Sequence, residues 1–126
     1  MDGPLYIIQR MNKIPMPVGD VFDPASQPLR ELTLPRVLGR QAAARPDKIF
    51  LSELSTGRTF TYQAMDVWSG RLAQGMQVLG VARASLVAVL MENSAEPTAL
   101  FFANCKIGAV SVPVNTAARC ALLPYY

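Results

Sequence analysis

Residues that could carry out catalysis are scarce in this sequence. It contains no histidine and two cysteines, Cys105 and Cys120. Without histidine, neither a Ser/His/Asp triad nor a Cys/His pair can form, and two lone cysteines cannot complete a structural zinc site. Acid–base pairs stay open, but the carboxylates Asp66, Glu92 and Glu96 show only the features of ordinary solvated or helix-capping groups.

Polar side chains follow each of two apolar runs, at the positions where a ligand would bind. Asn93 and Ser94 come after the run LVAVLM, and Asn115 and Thr116 come after AVSV. Open parallel sheets bind ligands beyond the carboxyl ends of their strands, so these loops could face a nucleotide or a substrate. Helix N-caps also prefer serine, threonine and asparagine. We favour this second interpretation, in which Ser94 and either Asn115 or Thr116 cap a following helix.

A set of glycines imitates a phosphate-binding loop. Gly70, Gly75 and Gly80 follow one another at the spacing of that motif, but Met76 and Val81 stand where it requires lysine. These glycines also fall within or at the end of a predicted helix, whereas a phosphate loop joins a strand to a helix. We therefore interpret the match as accidental.

The segments around the polar loops predict a strand, a helix and a second strand. The unbroken apolar run over residues 86–91 is typical of a strand that is covered on both faces. The next segment begins with Ser94 as a cap and ends at Gly108, which is the pattern of a helix. A second short strand then ends at Pro113. This order predicts a βαβ unit with parallel strands.

Two amphipathic helices and a β-hairpin precede this unit. The first helix is capped by Thr33 and stopped by Pro46, and the second is capped by Thr61 and ends at Gly80. Between them, strand-forming residues flank a turn over residues 55–58, with Gly57 free to take a positive φ. The inward-facing positions recur at steps of three and four: Leu34, Val37, Leu38 and Ala42, then Met65, Trp68, Leu72, Met76 and Leu79.

Composition narrows the class of protein further. The chain has 126 residues, of which 51% are hydrophobic and 17% charged, with a formal charge of +3. Its basic residues are scattered singly, so the footprint of a nucleic-acid-binding protein is missing. No signal-peptide pattern opens the sequence, and polar and turn residues interrupt the apolar stretch over residues 97–118. We expect a cytoplasmic protein with no membrane span.

The order of these segments resembles a known family. The stretches AARPDKIFL, TFTYQAM, SGRLAQGMQVLGV and VAVLMENSAEPTALFFANCKIGAVSVPVN are similar to the amino-terminal region of the adenylate-forming enzymes, the AMP-binding acyl-CoA synthetases and their relatives. The resemblance covers residues 34–126 and is most specific over residues 87–115. The ending SVPVNTAARCALLPYY is most similar to carnitine- or crotonobetaine-type and fatty-acid CoA ligases.

The chain departs from the family pattern at two places. Ala84 and Ser85 stand where family members usually have a Gly-Asp pair, and Cys120 stands where glycine is more usual. Such a change matters where the backbone needs a positive φ. Neither position belongs to the chemistry of the family.

The resemblance implies an α/β fold, here an incomplete part of the adenylate-forming amino-terminal domain with a β-hairpin and a βαβ unit of a mainly parallel sheet. It also implies a ligase of fatty acid metabolism that joins a carboxylic acid to ATP as an acyl-adenylate and then to coenzyme A. In the family, ATP and Mg²⁺ are held by a Ser/Thr/Gly-rich loop ending in lysine, by downstream acidic residues and by a lysine in a lid, and none of these motifs is in this chain. We therefore assign no catalytic, cofactor-binding or metal-binding residue here, and expect no activity from the chain alone.

The two ends of the chain carry expectations of their own. Pro4, Pro15, Pro17, Pro24 and Pro28 predict an extended leader over residues 1–31, followed by a partial α/β subdomain over residues 32–126. The apolar ending ALLPYY indicates a core exposed by truncation, and it could associate with itself or with another chain.

An alternative is a non-catalytic α/β interaction module that pairs with another chain. The acyl substrate, the oligomeric state and the natural start, Met1 or Met11, stay open.

Overall fold

Residues 28–116 are described by the structure, which is a computed structural model. After a 3₁₀ turn, Leu29–Glu31, it contains three helices: α1 (Leu34–Ala44), α2 (Tyr62–Val78) and α3 (Ala95–Ile107). Four strands form two separate pairs: β1 (Ile49–Ser52) with β2 (Thr59–Thr61), and β3 (Leu86–Val89) with β4 (Val110–Pro113). No helix among these residues is long and apolar enough to cross a bilayer. Most of the predicted leader and the apolar ending lie outside the described residues.

The predicted hairpin is confirmed. Strands β1 and β2 pair antiparallel, and Gly57 in the turn between them has a φ of 73°. Tyr62 begins α2 directly after β2. The reason lies in Thr61, whose hydroxyl accepts a hydrogen bond from the Ala64 N–H at 3.1 Å and so caps the helix.

Helix α2 ends as the sequence predicts. The Gly80 N–H donates to the Gln77 carbonyl at 3.0 Å, and the Val81 N–H donates to the Met76 carbonyl at 2.9 Å. This pair of bonds, with Gly80 at a φ of 91°, is a Schellman motif. Gly70 and Gly75 lie inside α2, so the glycine series belongs to a helix and not to a phosphate loop.

The core forms where the three helices and the hairpin meet. Leu38 of α1, Met65 of α2 and Ala99 of α3 are its buried residues. The partly buried side chains packed against them are Phe50, Leu51, Phe60, Tyr62, Trp68, Leu72 and Phe102. Two predicted inward positions are wrong, since Leu34 is 48% exposed and Leu79 is 84% exposed. Both lie at helix ends, where the apolar stripe runs past the neighbouring elements.

The predicted βαβ unit is confirmed. Strands β3 and β4 pair in parallel, and α3 connects them and ends at Gly108, whose φ is 80°. The expectation that the first of these strands is covered on both faces is wrong for the described residues, because Leu86 is 75% exposed and Leu90, in the same predicted run, is 59% exposed. Helix α3 packs on one face of the pair, and none of the other described helices covers the opposite face.

A non-glycine residue has a left-handed backbone in the turn that leads into β3. Ala84 has a φ of 65°, and its N–H donates to the Gly108 carbonyl at 2.9 Å. The family that the sequence resembles usually has glycine here, where a Cβ in the left-handed region is strained. The departure at Ala84 therefore carries a cost in stability.

We expect Ala84→Gly to raise the free energy of unfolding by about 0.5–1 kcal/mol. Relief of left-handed strain, about 1–2 kcal/mol, outweighs the greater chain entropy of glycine, about 0.4–1 kcal/mol. Urea unfolding of the chain measures the change. Ala82→Gly, which is in the same turn without a positive φ, is the matched control and should lower stability. An equal loss of unfolding free energy in both variants would contradict the claim that Ala84 is strained.

Candidate functional site

The carboxyl ends of β3 and β4 open into a cavity of about 640 Å³. The sequence pointed to this edge, and the structure brings Asn93 together with Asn115 and Thr116 around the same cavity. Glu92 also lines it, and the rest of the wall is apolar: Val89, Met91, Pro97, Pro113 and Val114. Three of the four predicted ligand-facing positions thus share one cavity.

Ser94, the fourth position, lies at a neighbouring depression of about 450 Å³. This depression lies between the hairpin turn and the start of α3, and Asn93 and Pro97 line both spaces. Ser94 occupies the N-cap position of α3, as predicted, but its side chain makes no capping hydrogen bond.

A carboxylate from the hairpin caps α3 instead. The Ala95 N–H, the first of the helix, donates to Glu53 Oε1 at 3.2 Å. Glu53 is buried, and it follows β1 directly in the chain. A negative charge at a helix N-terminus is stabilised by the free N–H groups and the helix dipole. Glu53 therefore ties the hairpin to the βαβ unit.

The hairpin turn holds Glu53 in position. Its main-chain N–H donates to the Arg58 carbonyl, and its carbonyl accepts from the Gly57 N–H, each at 2.8 Å. Its carboxylate accepts two hydrogen bonds from the Arg58 guanidinium, at 2.7 and 3.0 Å, and one from the Thr56 hydroxyl. Arg58 is thus a bidentate partner, the strongest geometry for an Arg–carboxylate pair.

Arg58 also reaches the first turn of α3. Its Nη2 donates to the two carboxylate oxygens of Glu96 at 2.9 and 3.2 Å, so one guanidinium serves two carboxylates. The expectation that Glu96 is an ordinary solvated or capping carboxylate is therefore incomplete. We call Glu53, Arg58 and Glu96 the hairpin–helix clasp.

The clasp lowers the pKa of both carboxyls. Hydrogen bonds from Arg58, then Thr56 and the Ala95 N–H, lower the pKa of Glu53 from 4.5 to about 2. The Ser94 hydroxyl, followed by the backbone and Arg58, lowers the pKa of Glu96. The two carboxylates in turn raise the pKa of Arg58. Through these hydrogen bonds the clasp joins the hairpin to the start of α3.

The start of α3 is accordingly unsuited to a phosphate group. Helix N-termini bind anions through free N–H groups, but here the Ala95 N–H is already bonded to Glu53. Two further carboxylates, Glu96 in the first turn and Glu92 at the cavity, would repel an added anion. Ser94 stands at the N-cap position of α3, but the Ala95 N–H is bonded to Glu53 and the Ser94 side chain makes no capping hydrogen bond.

A second ion pair joins α3 to α2. Lys106 Nζ donates to Asp66 Oδ1 and to the Asp66 main-chain carbonyl, each at 2.7 Å. Asp66 is therefore a partner of Lys106 and not a free solvated carboxylate, which corrects the expectation from sequence. A Cβ at Gly70 would lie 3.6 Å from Lys106 Nζ, an ordinary van der Waals contact.

Sequence reasoning missed Glu53 and Arg58. The signal was present in the opposite charges that flank the turn ELSTGR, five residues apart. A hairpin brings such positions together. The hydrogen bond from the Ala95 N–H to Glu53 joins residues 42 apart, and no local sequence pattern predicts it.

The chain belongs to the AMP-binding enzyme family, which matches residues 38–122. It is 39% identical over 80 residues to the long-chain-fatty-acid–CoA ligase FadD13 of Mycobacterium tuberculosis, and 32% identical over 96 residues to 4-coumarate–CoA ligase 5 of Oryza sativa. These matches cover 64% and 76% of the chain, but only 16% and 17% of the two relatives.

Solved structures confirm the fold class. The amino-terminal domain of FACL13 from Mycobacterium tuberculosis matches 72% of this chain with a TM-score of 0.68 and 34% identity, and the match covers 23% of that domain. The amino-terminal subdomain of NpsA from Klebsiella oxytoca matches 74% with a TM-score of 0.69 and 27% identity, covering 24% of that chain. The described α/β elements are therefore part of an adenylate-forming amino-terminal domain.

We expect stability to fall as the pH drops from about 4.5 to about 2, and to fall less in Glu53→Gln. The folded-state pKa of Glu53 is lowered to about 2, so its stabilising contribution is complete above the unfolded-state pKa and is lost as the pH falls through that interval. Above pH 4.5 the variant should be the less stable protein. Urea unfolding from neutral to acidic pH measures both effects.

Glu92→Gln is the control for this titration. Glu92 is exposed at the cavity and outside the clasp, so its replacement should keep the acid dependence that the clasp produces. Some acid dependence should persist in Glu53→Gln, because the pKa values of Glu31 and Glu96 are also lowered, chiefly by Arg36 and Ser94 respectively. Identical pH curves for Glu53→Gln and the unaltered chain would contradict the clasp.

Proposed function

We propose that this chain is the front portion of an ATP-dependent acyl-CoA ligase. The match of residues 38–122 to the AMP-binding enzymes carries the proposal. In the proposed reaction a carboxylate oxygen attacks the α-phosphorus of ATP and pyrophosphate leaves. The thiol of coenzyme A then attacks the acyl carbon, AMP leaves, and the thiol proton passes to solvent or a base. The relatives named for long-chain fatty acids and 4-coumarate indicate that the substrate is a carboxylic acid.

The contribution of this segment to the reaction is structural. No group of three or more His, Cys, Asp or Glu side chains within residues 28–116 could hold a metal ion. The clasp carboxylates are engaged by Arg58 and by the start of α3. These residues do not fit Mg²⁺ or the phosphates of ATP. We therefore propose that the ATP, Mg²⁺ and coenzyme A sites are built by other parts of the ligase, and that residues 32–126 form a partial subdomain.

The proposal includes a cytoplasmic location and a place in fatty acid metabolism. Coenzyme A, ATP and a reducing environment are available together in the cytoplasm. As a separate point, burial raises the pKa of the Cys105 thiol, which makes this thiol a poor nucleophile. The charge pattern supports a small-molecule partner over a nucleic acid.

A second candidate is a non-catalytic module that pairs with another chain. The apolar residues exposed on β3 and β4, Leu86 and Val110, favour an association of some kind. A module of this kind should behave as a defined oligomer when purified. A ligase segment with open strand edges should instead associate without a fixed stoichiometry as its concentration rises, so the measurements on the chain use dilute protein.

We expect the purified 126-residue chain to catalyse no ATP–pyrophosphate exchange, with either a long-chain fatty acid or 4-coumarate as the acid. The reason is that no group of three or more His, Cys, Asp or Glu side chains among residues 28–116 could hold Mg²⁺, and the first N–H of α3 is already bonded to Glu53. The FadD13 relative, assayed with the fatty acid, is the positive control. Exchange by the chain alone, dependent on the acid and above the rate without protein, would contradict the proposal of inactivity.

A chimera tests the ligase proposal itself. In it, this chain replaces the corresponding amino-terminal segment of the FadD13 relative, to which it is 39% identical. We expect the folded chimera to regain exchange that depends on a carboxylic acid. A folded chimera without such exchange would count against a ligase function for this segment.

A further inference from the structure

A polar pair lies buried in the contact between α3 and β4. Asn104 of α3 is fully buried, and its Nδ2 donates a hydrogen bond to Ser111 Oγ of β4 at 2.7 Å. The main-chain carbonyl of Asn104 also accepts the Gly108 and Ala109 N–H groups, each at 2.9 Å, where α3 ends. The end of the helix therefore holds the Asn104 amide against the strand.

The Asn104 side chain makes fewer hydrogen bonds than its amide allows. Its Oδ1 is buried and has no hydrogen-bond partner among residues 28–116. An unpaired buried polar atom is costly, and apolar replacement of a buried polar pair is often neutral or stabilising. A contribution to stability therefore does not explain why this pair lies in the core, and another role has to account for it.

The side of β4 that faces α3 is opposite to the one that its apolar residues favour. Ser111 meets the helix, and side chains alternate along a strand, so Val110 and Val112 lie on the far side. Val110 is 48% exposed there. Burial of apolar area would instead place the valines at the helix and the serine away from it. A slip of β4 by one residue would produce that arrangement, because it moves every side chain to the other side.

Main-chain hydrogen bonds select only weakly between the two registers. Every residue other than proline carries one N–H and one carbonyl, so a slipped β4 would lose one bond, at Pro113. Strands β3 and β4 read LVAV and VSVP, and Ser111 is their one polar side chain. A side-chain preference for the observed register must therefore come from Ser111 and its partner, Asn104.

We propose that the hydrogen bond between Asn104 and Ser111 fixes which side of β4 faces α3, and so sets the register of β4 on β3. In the slipped register a valine would lie against Asn104, and the amide would lose its bond to Ser111 inside the core, which is costly. The penalty for the wrong register thus comes from Asn104 and not from β4 itself. Buried polar residues fix register at a cost in stability in coiled coils as well.

The register decides which residues reach the candidate site. Asn115 and Thr116 follow β4 and line the cavity at its carboxyl end. A one-residue slip would move them by about 3.3 Å along the sheet and exchange the sides on which their side chains lie. Asn104 is not among the residues that line the cavity. It is therefore a positioning residue, which acts on the cavity through β4.

Threonine and valine in place of Ser111 test the proposal in the 126-residue chain, because these side chains have the same shape and differ in the hydroxyl. Ser111→Thr should keep one set of ¹H–¹⁵N NMR signals for β4. Ser111→Val should lower Tm and give a second set of signals, in which the Val110 and Val114 amides exchange rapidly with solvent. These two amides mark the observed register, since they donate to the Ser85 and Val89 carbonyls at 2.8 and 2.9 Å.

The double variant Asn104→Ala/Ser111→Val separates register from stability. It removes both polar groups with little change in total volume, so Tm should stay the same or rise while the second set of β4 signals persists. It also keeps the test readable if Ser111→Val alone does not fold. One set of signals with slow hydrogen exchange at Val110 and Val114, in the double variant or in a folded Ser111→Val, would overturn the proposal. A double variant that does not fold would overturn it too, because the pair would then be required for stability.

Ser69→Ala is the matched control. Ser69 is fully buried like Asn104, but its hydroxyl donates to the Met65 and Asp66 carbonyls of its own helix, at 2.8 and 3.1 Å. Its replacement should leave β4 with one set of signals. A second set in this variant would overturn the assignment to Asn104, because any change in the core would then disturb the strand. Ligase activity is not measured here, so the result is independent of the proposed function.

Discussion

A buried carboxylate connects the two halves of the described structure. Glu53 receives the Arg58 guanidinium from its own hairpin and the first N–H of α3 from the βαβ unit. Its charge is tolerable in the interior because both partners are donors placed by separate elements. The hairpin, the start of α3 and the loop that leads to the cavity all take their relative positions from this contact.

Most of the secondary structure was predictable because its causes are local. The caps at Thr61 and Gly80, the turn at Gly57 and the stop at Gly108 are where the sequence places them. The same reasoning failed where a cause lies far away in the chain. Glu53 is hydrogen-bonded to Ala95, 42 residues away, and Asp66 to Lys106, 40 residues away. Their roles therefore depend on tertiary packing, which the hydrophobic periodicity of the sequence does not predict.

The location of the candidate site could be predicted from the sequence, but the hydrogen bonds of its residues could not. Loop residues after parallel strands converge on one cavity, as the topology requires. The sequence could not show that a hairpin carboxylate already occupies the first N–H of α3. An apolar run likewise indicates what a strand can bury, whereas Leu86 is 75% exposed among the described residues. The described residues are part of the amino-terminal domain of an AMP-binding enzyme, and the chain covers 23% of the FACL13 domain that it matches.

Amide hydrogen exchange tests this conclusion most directly, measured on the 126-residue chain and on the FadD13 chimera. Exchange reports local opening, which is suppressed where backbone becomes buried. We expect amides of β3 and β4 to exchange more slowly in the chimera, while those of α2 facing α3 change little. Equal exchange rates of β3 and β4 in the chain and a folded chimera would contradict the central claim, because the two strands would then gain no neighbour in the larger domain.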